Sequence, residues 1–213
     1  MKNLRQHIHR SGRSNMYSQS KCSNWAAFSP YLGEIGQIRN NQEPTTKIVL
    51  SDEVKIEVLE RPLHEAFLRP YTIKDIEDTL ASVPLKFLVG SPWILLLGGT
   101  KKQEQRVKAN VYFGQYYCHR KMIVLCAFPK KLLRLSAQIQ PHWIQGYIRA
   151  GATCRQEGQH TIVEFNEQSL KTFYLRDVLI HEIGHHVDWI HRQRCTEEFA
   201  EWFATEYGYQ YQP

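Results

Sequence analysis

Apolar and polar residues alternate with the two-residue period of half-buried strands soon after residue 45. Lys47–Leu50 and Val54–Leu59 flank a polar Ser-Asp-Glu turn, and Val54, Ile56 and Val58 share one face of the second segment. This alternation predicts two strands joined by a tight turn. Later segments rich in branched and aromatic residues predict further strands. These segments are Phe87–Leu97, Val107–Tyr116, Met122–Phe128 and Thr161–Phe165.

Helical spacing appears first in the middle of the chain and then dominates its end. Thr72 and Asp75 are placed as a capping pair, and apolar residues recur at helical intervals from there to Pro84. This pattern predicts a short amphipathic helix. A helical or irregular segment is expected around Leu132–Ile148. One long helix is predicted from Ser169 through Ile183 and a second over Glu197–Tyr207.

Strands early in the chain and helices late predict an α+β fold. A chain of 213 residues is long enough for one sizeable core. The net charge is +6, and residues 1–33 contain five basic residues and no acidic ones. Residues 1–45 are therefore predicted to be a basic, polar and mobile tail and linker, and residues 46–213 the folded domain.

Composition also predicts the subcellular location. The longest apolar stretch, Phe87–Leu97, is too short to cross a bilayer, which predicts no membrane association. Five cysteines without paired spacing fit free thiols in a reducing compartment. The chain is expected to be cytoplasmic. An organelle address is the alternative, because the N-terminal segment is rich in Arg and Ser and poor in acids.

The residues His181-Glu182-Ile183-Gly184-His185 carry the strongest chemical signal in the chain. Positions i and i+4 of a helix lie on one face, so the two imidazoles can reach one metal ion. Zinc binds histidine nitrogen, and its catalytic sites have three protein ligands and a water. Glu182 follows the first histidine directly, which places its carboxylate beside the ion as a base for that water.

Two residues compete to be the third ligand. His191 completes the histidine spacing of the metzincin group, but that group has Gly where this chain has Asp188. The metzincins also need a downstream methionine turn, and the last methionine here is Met122. The alternative is Glu197 on the next predicted helix, with Glu198 as a fallback. This second alternative is the favoured prediction.

The predicted helix from Glu197 has a narrow face suited to close packing on the histidine helix. Glu197, Ala200, Glu201 and Ala204 recur at helical spacing, and two alanines permit close approach. Glu201 would accept the free N–H of a ligand histidine, as outer partners of zinc ligands do. The competing interpretation is that both glutamates face solvent.

The motifs HEIGHHVD and EEFAEWFA resemble those of the gluzincin metallopeptidases, and among these the lethal-factor-like and Pro-Pro endopeptidase family. The resemblance covers Leu179–Tyr207. It implies a zincin-like small metallopeptidase domain with a mixed or antiparallel sheet, an active-site helix and a C-terminal glutamate-ligand helix. It also implies that His181, His185 and Glu197 bind zinc and that Glu182 is catalytic.

The expected reaction is zinc-dependent hydrolysis of a peptide bond in a protein or peptide, with Glu182 activating a metal-bound water. Tyr207, Tyr209 and His191 are candidate donors to the oxyanion. A strand edge would pair with the extended substrate. The alternatives are a zinc-stabilised structural or regulatory protein, or a nucleic-acid-binding module with a vestigial site. The second alternative would use the tail and these basic residues: Lys101, Lys102, Arg106, Lys108, Arg120, Lys121, Lys130, Lys131 and Arg134.

Overall fold

The computed structural model describes residues 45–90, 92–100, 113–137 and 141–210. All of them belong to the unit Glu43–Pro213. Apart from its last residue, the predicted tail of residues 1–45 lies outside these ranges. The described part has an α+β fold with a mixed sheet and several helices, which confirms the predicted fold class.

The strands, in chain order, are β1 (Thr45–Val49), β2 (Lys55–Glu60), β3 (Phe67–Leu68), β4 (Trp93–Leu96), β5 (Gly114–Tyr117), β6 (Met122–Leu125), β7 (Phe128–Pro129), β8 (Arg134–Ala137), β9 (Thr153–Glu157) and β10 (His160–Glu164). The helices are α1 (Ile73–Ala81), α2 (Pro141–Arg149), α3 (Glu167–Thr172), α4 (Ile180–Arg192) and α5 (Glu197–Thr205). Two π-helical segments, Phe173–Leu179 and Glu206–Gln210, precede α4 and follow α5.

The main sheet has five strands in the order β1-β2-β4-β6-β5. The two outer pairs, β1 with β2 and β5 with β6, are antiparallel, whereas β4 runs parallel to both β2 and β6. Strands β8, β10 and β9 form a separate antiparallel sheet, and β3 pairs with β7. Among the described strands, β5 therefore lies at one edge of the main sheet, and helix α4 packs beside it.

The burial of strands β2 and β4 explains their sequence patterns. In β2, Ile56 and Val58 are buried and Lys55 is exposed, as the two-residue alternation predicts. The central strands instead bury consecutive residues, since Ile94, Leu95 and Leu96 of β4 are all almost fully covered. A parallel strand covered on both faces reads as a continuous apolar run.

The predicted strand Phe87–Leu97 is shorter in the structure. Leu85–Phe87 form a turn of 3₁₀-helix, and Gly90 adopts φ +81°, a left-handed conformation that interrupts an extended chain. The strand begins only at Trp93. The predicted strand Val107–Tyr116 falls partly outside the described residues, and its described part is β5.

Two strands in the second sheet were not predicted. The segment expected to be helical or irregular contains strand β8 before helix α2. Strand β9 has the sequence TCRQE, and it lies almost entirely on the surface. A strand with no buried face has no apolar alternation, so the pattern gives no sign of it.

The predicted helices are present, with different local geometry. Helix α1 begins with a capping box in which the Thr72 hydroxyl oxygen accepts from the Asp75 N–H at 3.2 Å. The predicted long helix begins at Glu167, after an Asn166 cap, and continues through the π-helical segment into α4. None of the helices in the described ranges combines the length and apolar character needed to cross a bilayer.

Candidate metal centre

Close contact between helices α4 and α5 creates the candidate site. A Cβ atom at Gly184 would lie 2.8 Å from the Cα atom of Ala200, so a larger residue would force the helices apart. Ala200 is completely buried in this contact. Gly184 and Ala200 thus have the same role. They bring the backbones close enough for side chains on the two helices to meet.

His181, His185 and Glu197 converge where the helices meet. The Nε2 atom of His181 lies 3.3 Å from Glu197 Oε2, and the Nε2 atom of His185 lies 3.7 Å from Glu197 Oε1. One potential ligand atom from each residue falls within 4.8 Å of the other two. Four ligands placed tetrahedrally about 2.1 Å from one zinc ion are about 3.4 Å apart. The three side chains could therefore hold a single metal ion.

The electrostatics of this cluster favour a positive charge. Burial alone would lower the pKa of His181, but the neighbouring carboxylates of Glu197 and Glu201 outweigh that effect and raise it to about 10. The two imidazoles hold the pKa of Glu197 well below its usual range. The Glu197 side chain is 78% exposed, compared with 11% for His181 and 8% for His185. A cation would thus enter from the Glu197 side.

Each histidine has an outer partner on its other ring nitrogen. The Nδ1 atom of His181 lies 3.7 Å from Glu201 Oε2. The Nδ1 atom of His185 lies 3.5 Å from the sulfur of Cys195. Such partners fix the orientation of a ligand ring and the nitrogen that it presents to the metal. Glu201 was predicted for this position, whereas the contact with Cys195 was not.

Asp188 explains how Glu197 reaches the histidines. It lies one turn after His185 and is completely buried. Its Oδ2 atom accepts hydrogen bonds from the backbone N–H of Thr196 at 3.0 Å and from the Thr196 hydroxyl at 2.9 Å. Thr196 directly precedes Glu197, the first residue of α5. One carboxylate thus ties the start of the second helix to the first.

Glu182 is the buried acid beside the cluster. Burial raises the pKa of its carboxyl group, and the nearby His185 and His181 act in the opposite direction. The backbone N–H of Tyr116 in β5 also hydrogen-bonds to this carboxylate. A carboxylate with a raised pKa is a stronger base, as proton transfer near neutral pH requires.

Strand β5 approaches Glu182 closely because residue 114 is glycine. A Cβ atom there would lie 2.6 Å from Val178 Cγ1 and 3.1 Å from Glu182 Oε1. The Tyr116 hydroxyl, two residues on, lies 3.0 Å from His186 Nδ1 and so attaches the strand to α4 a second time. The edge strand of the main sheet is therefore fixed beside the candidate base.

The structure does not bring every candidate residue into this cluster. His191 is exposed on the last turn of α4, and Glu198 is exposed on the first turn of α5. The Tyr207 ring packs 4.5 Å from the Phe203 ring. The Tyr209 hydroxyl donates to Asp177. The expected roles of Tyr207, Tyr209 and His191 as oxyanion donors stay predictions.

Four of the nine basic residues named for the nucleic-acid alternative lie outside the described ranges, as do those of the tail. Lys101, Lys102, Arg106 and Lys108 all lie between residues 100 and 113, outside these ranges.

Comparison with known proteins gives no match from the family models, the curated proteins or the solved structures.

The cluster predicts unequal effects of two substitutions on metal binding. Glu197→Ala should weaken zinc binding by about 10-fold or more, because it removes one of three converging ligands. His191→Ala should leave zinc affinity within about twofold, since a surface change away from the site has little effect. Competition with a chromogenic chelator measures both affinities, with Glu198→Ala as the matched control. The reverse order would favour the histidine-only site.

Proposed function

We propose that the chain is a zinc-dependent endopeptidase with a gluzincin-type site on a zincin-like domain. The observation that carries this proposal is the convergence of His181, His185 and Glu197 within 4.8 Å, with the buried Glu182 beside them. Two imidazoles and one carboxylate are the donor set of one established class of catalytic zinc site. A structural zinc site usually has four protein ligands, often cysteines, which makes the structural alternative less favoured.

The sequence resemblance supports the same proposal. The two motifs that resemble the lethal-factor-like and Pro-Pro endopeptidases are the segments that form α4 and α5. Their paired helices bring together the residues that the resemblance implies as zinc ligands. The segment between the motifs is much shorter here than in that family. Substrate preference is therefore not transferred from the family to this chain.

The metal would be held by His181, His185 and Glu197, and Glu182 would accept and then donate the proton. Zinc bound by these residues would supply Lewis-acid chemistry, which would polarise the scissile carbonyl group and make a water molecule more acidic. Glu182 accepts the proton of the attacking water on its carboxylate and then delivers it to the departing amine. Glu201 and Cys195 hold the ring orientations of His181 and His185 while this transfer takes place.

Strand β5 supplies the surface for an extended peptide. Among the described strands it is the outermost on its side of the main sheet, and the backbone N–H of Tyr116 already hydrogen-bonds to Glu182. Free backbone groups at a sheet edge can pair with an added strand. A peptide paired with this edge would place its backbone next to Glu182 and the metal ligands. The proposed substrate is therefore an unfolded or extended protein segment.

Metal removal and replacement test this function. The full-length protein should cleave members of a peptide library, lose that cleavage with a zinc chelator and regain it when stoichiometric zinc is added back, because the ligands act only through the ion. Mass spectrometry identifies the cleaved bonds, and elemental analysis gives the zinc content. Cleavage that persists without metal would contradict the proposal, as would zinc-loaded protein that cleaves nothing.

A further inference from the structure

Arg149, the last residue of α2, connects three parts of the chain behind the candidate metal centre. Its Nη2 atom lies 2.5 Å from Asp177 Oδ1, in the π-helical segment that leads into α4. Its Nη1 atom donates to the Thr205 hydroxyl at 2.7 Å, at the end of α5. The guanidinium group also lies over the Tyr209 ring, 4.9 Å from its centroid. Arg149 is thus held from several sides.

The same guanidinium group reaches the outer partner of a metal ligand. Its Nη2 atom donates to Glu201 Oε1 at 3.3 Å, while the other carboxylate oxygen of Glu201 lies 3.7 Å from His181 Nδ1. The two oxygens of Glu201 therefore face in different directions, one towards Arg149 and one towards His181. The Glu201 side chain is 40% exposed, so packing alone does not determine its rotamer.

Asp177 and Tyr209 hold Arg149 in position. The Asp177 side chain is only 9% exposed and also accepts a hydrogen bond from Arg149 Nε at 3.2 Å. Its second oxygen accepts from the Tyr209 hydroxyl. A guanidinium group offers a rigid planar fork of donors, whereas a lysine ammonium group is a single point charge. Only the fork can contact Asp177, Glu201 and Thr205 at the same time.

We propose that Arg149 is a positioning residue for the metal centre, which holds Glu201 in the rotamer that orients His181. This inference rests on the proposed function, because it concerns a ligand of the same metal. The partner of a ligand histidine is itself effective only when its own position is fixed. Arg149 acts on the metal through Glu201 and His181, without contact with the metal or substrate.

The test uses Arg149→Lys, which keeps a positive charge beside Asp177 but removes the fork. Zinc affinity, measured by competition with a chromogenic chelator, should fall about tenfold, at the lower end of the effect of outer-partner substitutions. The matched control is Arg176→Lys, since Arg176 also lies over the Tyr209 ring at 5.7 Å and has no hydrogen bond to Glu201 among the described contacts. This control should keep wild-type affinity.

A double-mutant cycle with Glu201→Ala separates positioning from a general effect on the fold. If Arg149 acts through Glu201, then Arg149→Lys should cause almost no further loss of zinc affinity in the Glu201→Ala background, which has no side-chain acceptor for Arg149. The absorption spectrum of the cobalt-loaded protein should also change in Arg149→Lys, because the His181 ring is reoriented. An equal loss of affinity in both backgrounds would overturn the proposal.

Three further results bear on the role of Arg149. If Arg149→Lys does not fold, the paired variant Arg149→Met with Asp177→Asn removes both charges and takes its place in the cycle. Wild-type zinc binding with unchanged affinity in the Arg149 variant would overturn this inference and leave the proposed metal centre intact. Failure of the wild-type protein to bind zinc would overturn the metal centre and this inference together.

Discussion

Replacing Glu182 by glutamine should lower peptide hydrolysis by about 10² to 10⁴, the usual contribution of a positioned acid or base. Glutamine keeps the shape of the side chain, and its oxygen can still accept the hydrogen bond from the Tyr116 backbone N–H. The amide is not a base at neutral pH. Catalysis should therefore fall while the fold and the zinc content stay as in the wild-type protein.

The measurement compares initial rates of wild-type and Glu182→Gln protein on one cleaved peptide, with elemental analysis of zinc in both. Glu198→Gln is the matched control, since it removes the same charge from an exposed residue next to Glu197. It should retain most of the activity. Equal rates for wild type and Glu182→Gln would remove Glu182 from the mechanism, whatever metal the protein contains.

The histidines give the second large effect. His181→Ala or His185→Ala should abolish stoichiometric zinc binding and with it hydrolysis, because two remaining ligands hold a zinc ion poorly. Both rings are almost completely buried between α4 and its neighbours. Alanine also leaves Glu197 without one of the imidazoles that now hold its pKa low.

Elemental analysis after dialysis decides this prediction, with thermal unfolding to show that the variants are folded. His191→Ala is the control, because it removes a histidine from the same helix at an exposed position. It should bind one zinc per chain, as the wild-type protein should. A full complement of zinc in either His181→Ala or His185→Ala would refute the assigned ligands.

Local signals in the sequence account for the parts of the fold that were predicted. The alternation around Ile56 and the capping pair at Thr72 act within a few residues, and the structure confirms the strand β2 and the helix α1. Strand β9 depends instead on pairing with β10, and its residues face solvent. The strand break at Gly90 similarly depends on a backbone conformation that apolar composition does not indicate.

The candidate site likewise contains residues that local sequence signals indicate and residues that depend on contacts distant in sequence. His181, His185 and Glu197 lie on consecutive helices, so spacing alone could suggest that they meet. Arg149 reaches Asp177 across 28 sequence positions and Glu201 across 52, and a lone arginine at the end of a helix carries no signal of such contacts. Cys195 is close in sequence, yet its contact with His185 depends on the turn between α4 and α5.

Strand β5, which covers Glu182, lies far in sequence from the helices that carry the proposed ligands. This separation implies an order of assembly during folding. The three proposed ligands lie within residues 181–197, so the hairpin of α4 and α5 brings them together at a small cost in loop entropy. The cover over Glu182 comes from β5, whose Tyr116 contacts His186 across 70 sequence positions. Contacts over long separations form more slowly. We therefore expect a folding chain to bind the proposed zinc ion before β5 covers Glu182. A partly folded molecule would then bind zinc without hydrolysing other protein chains.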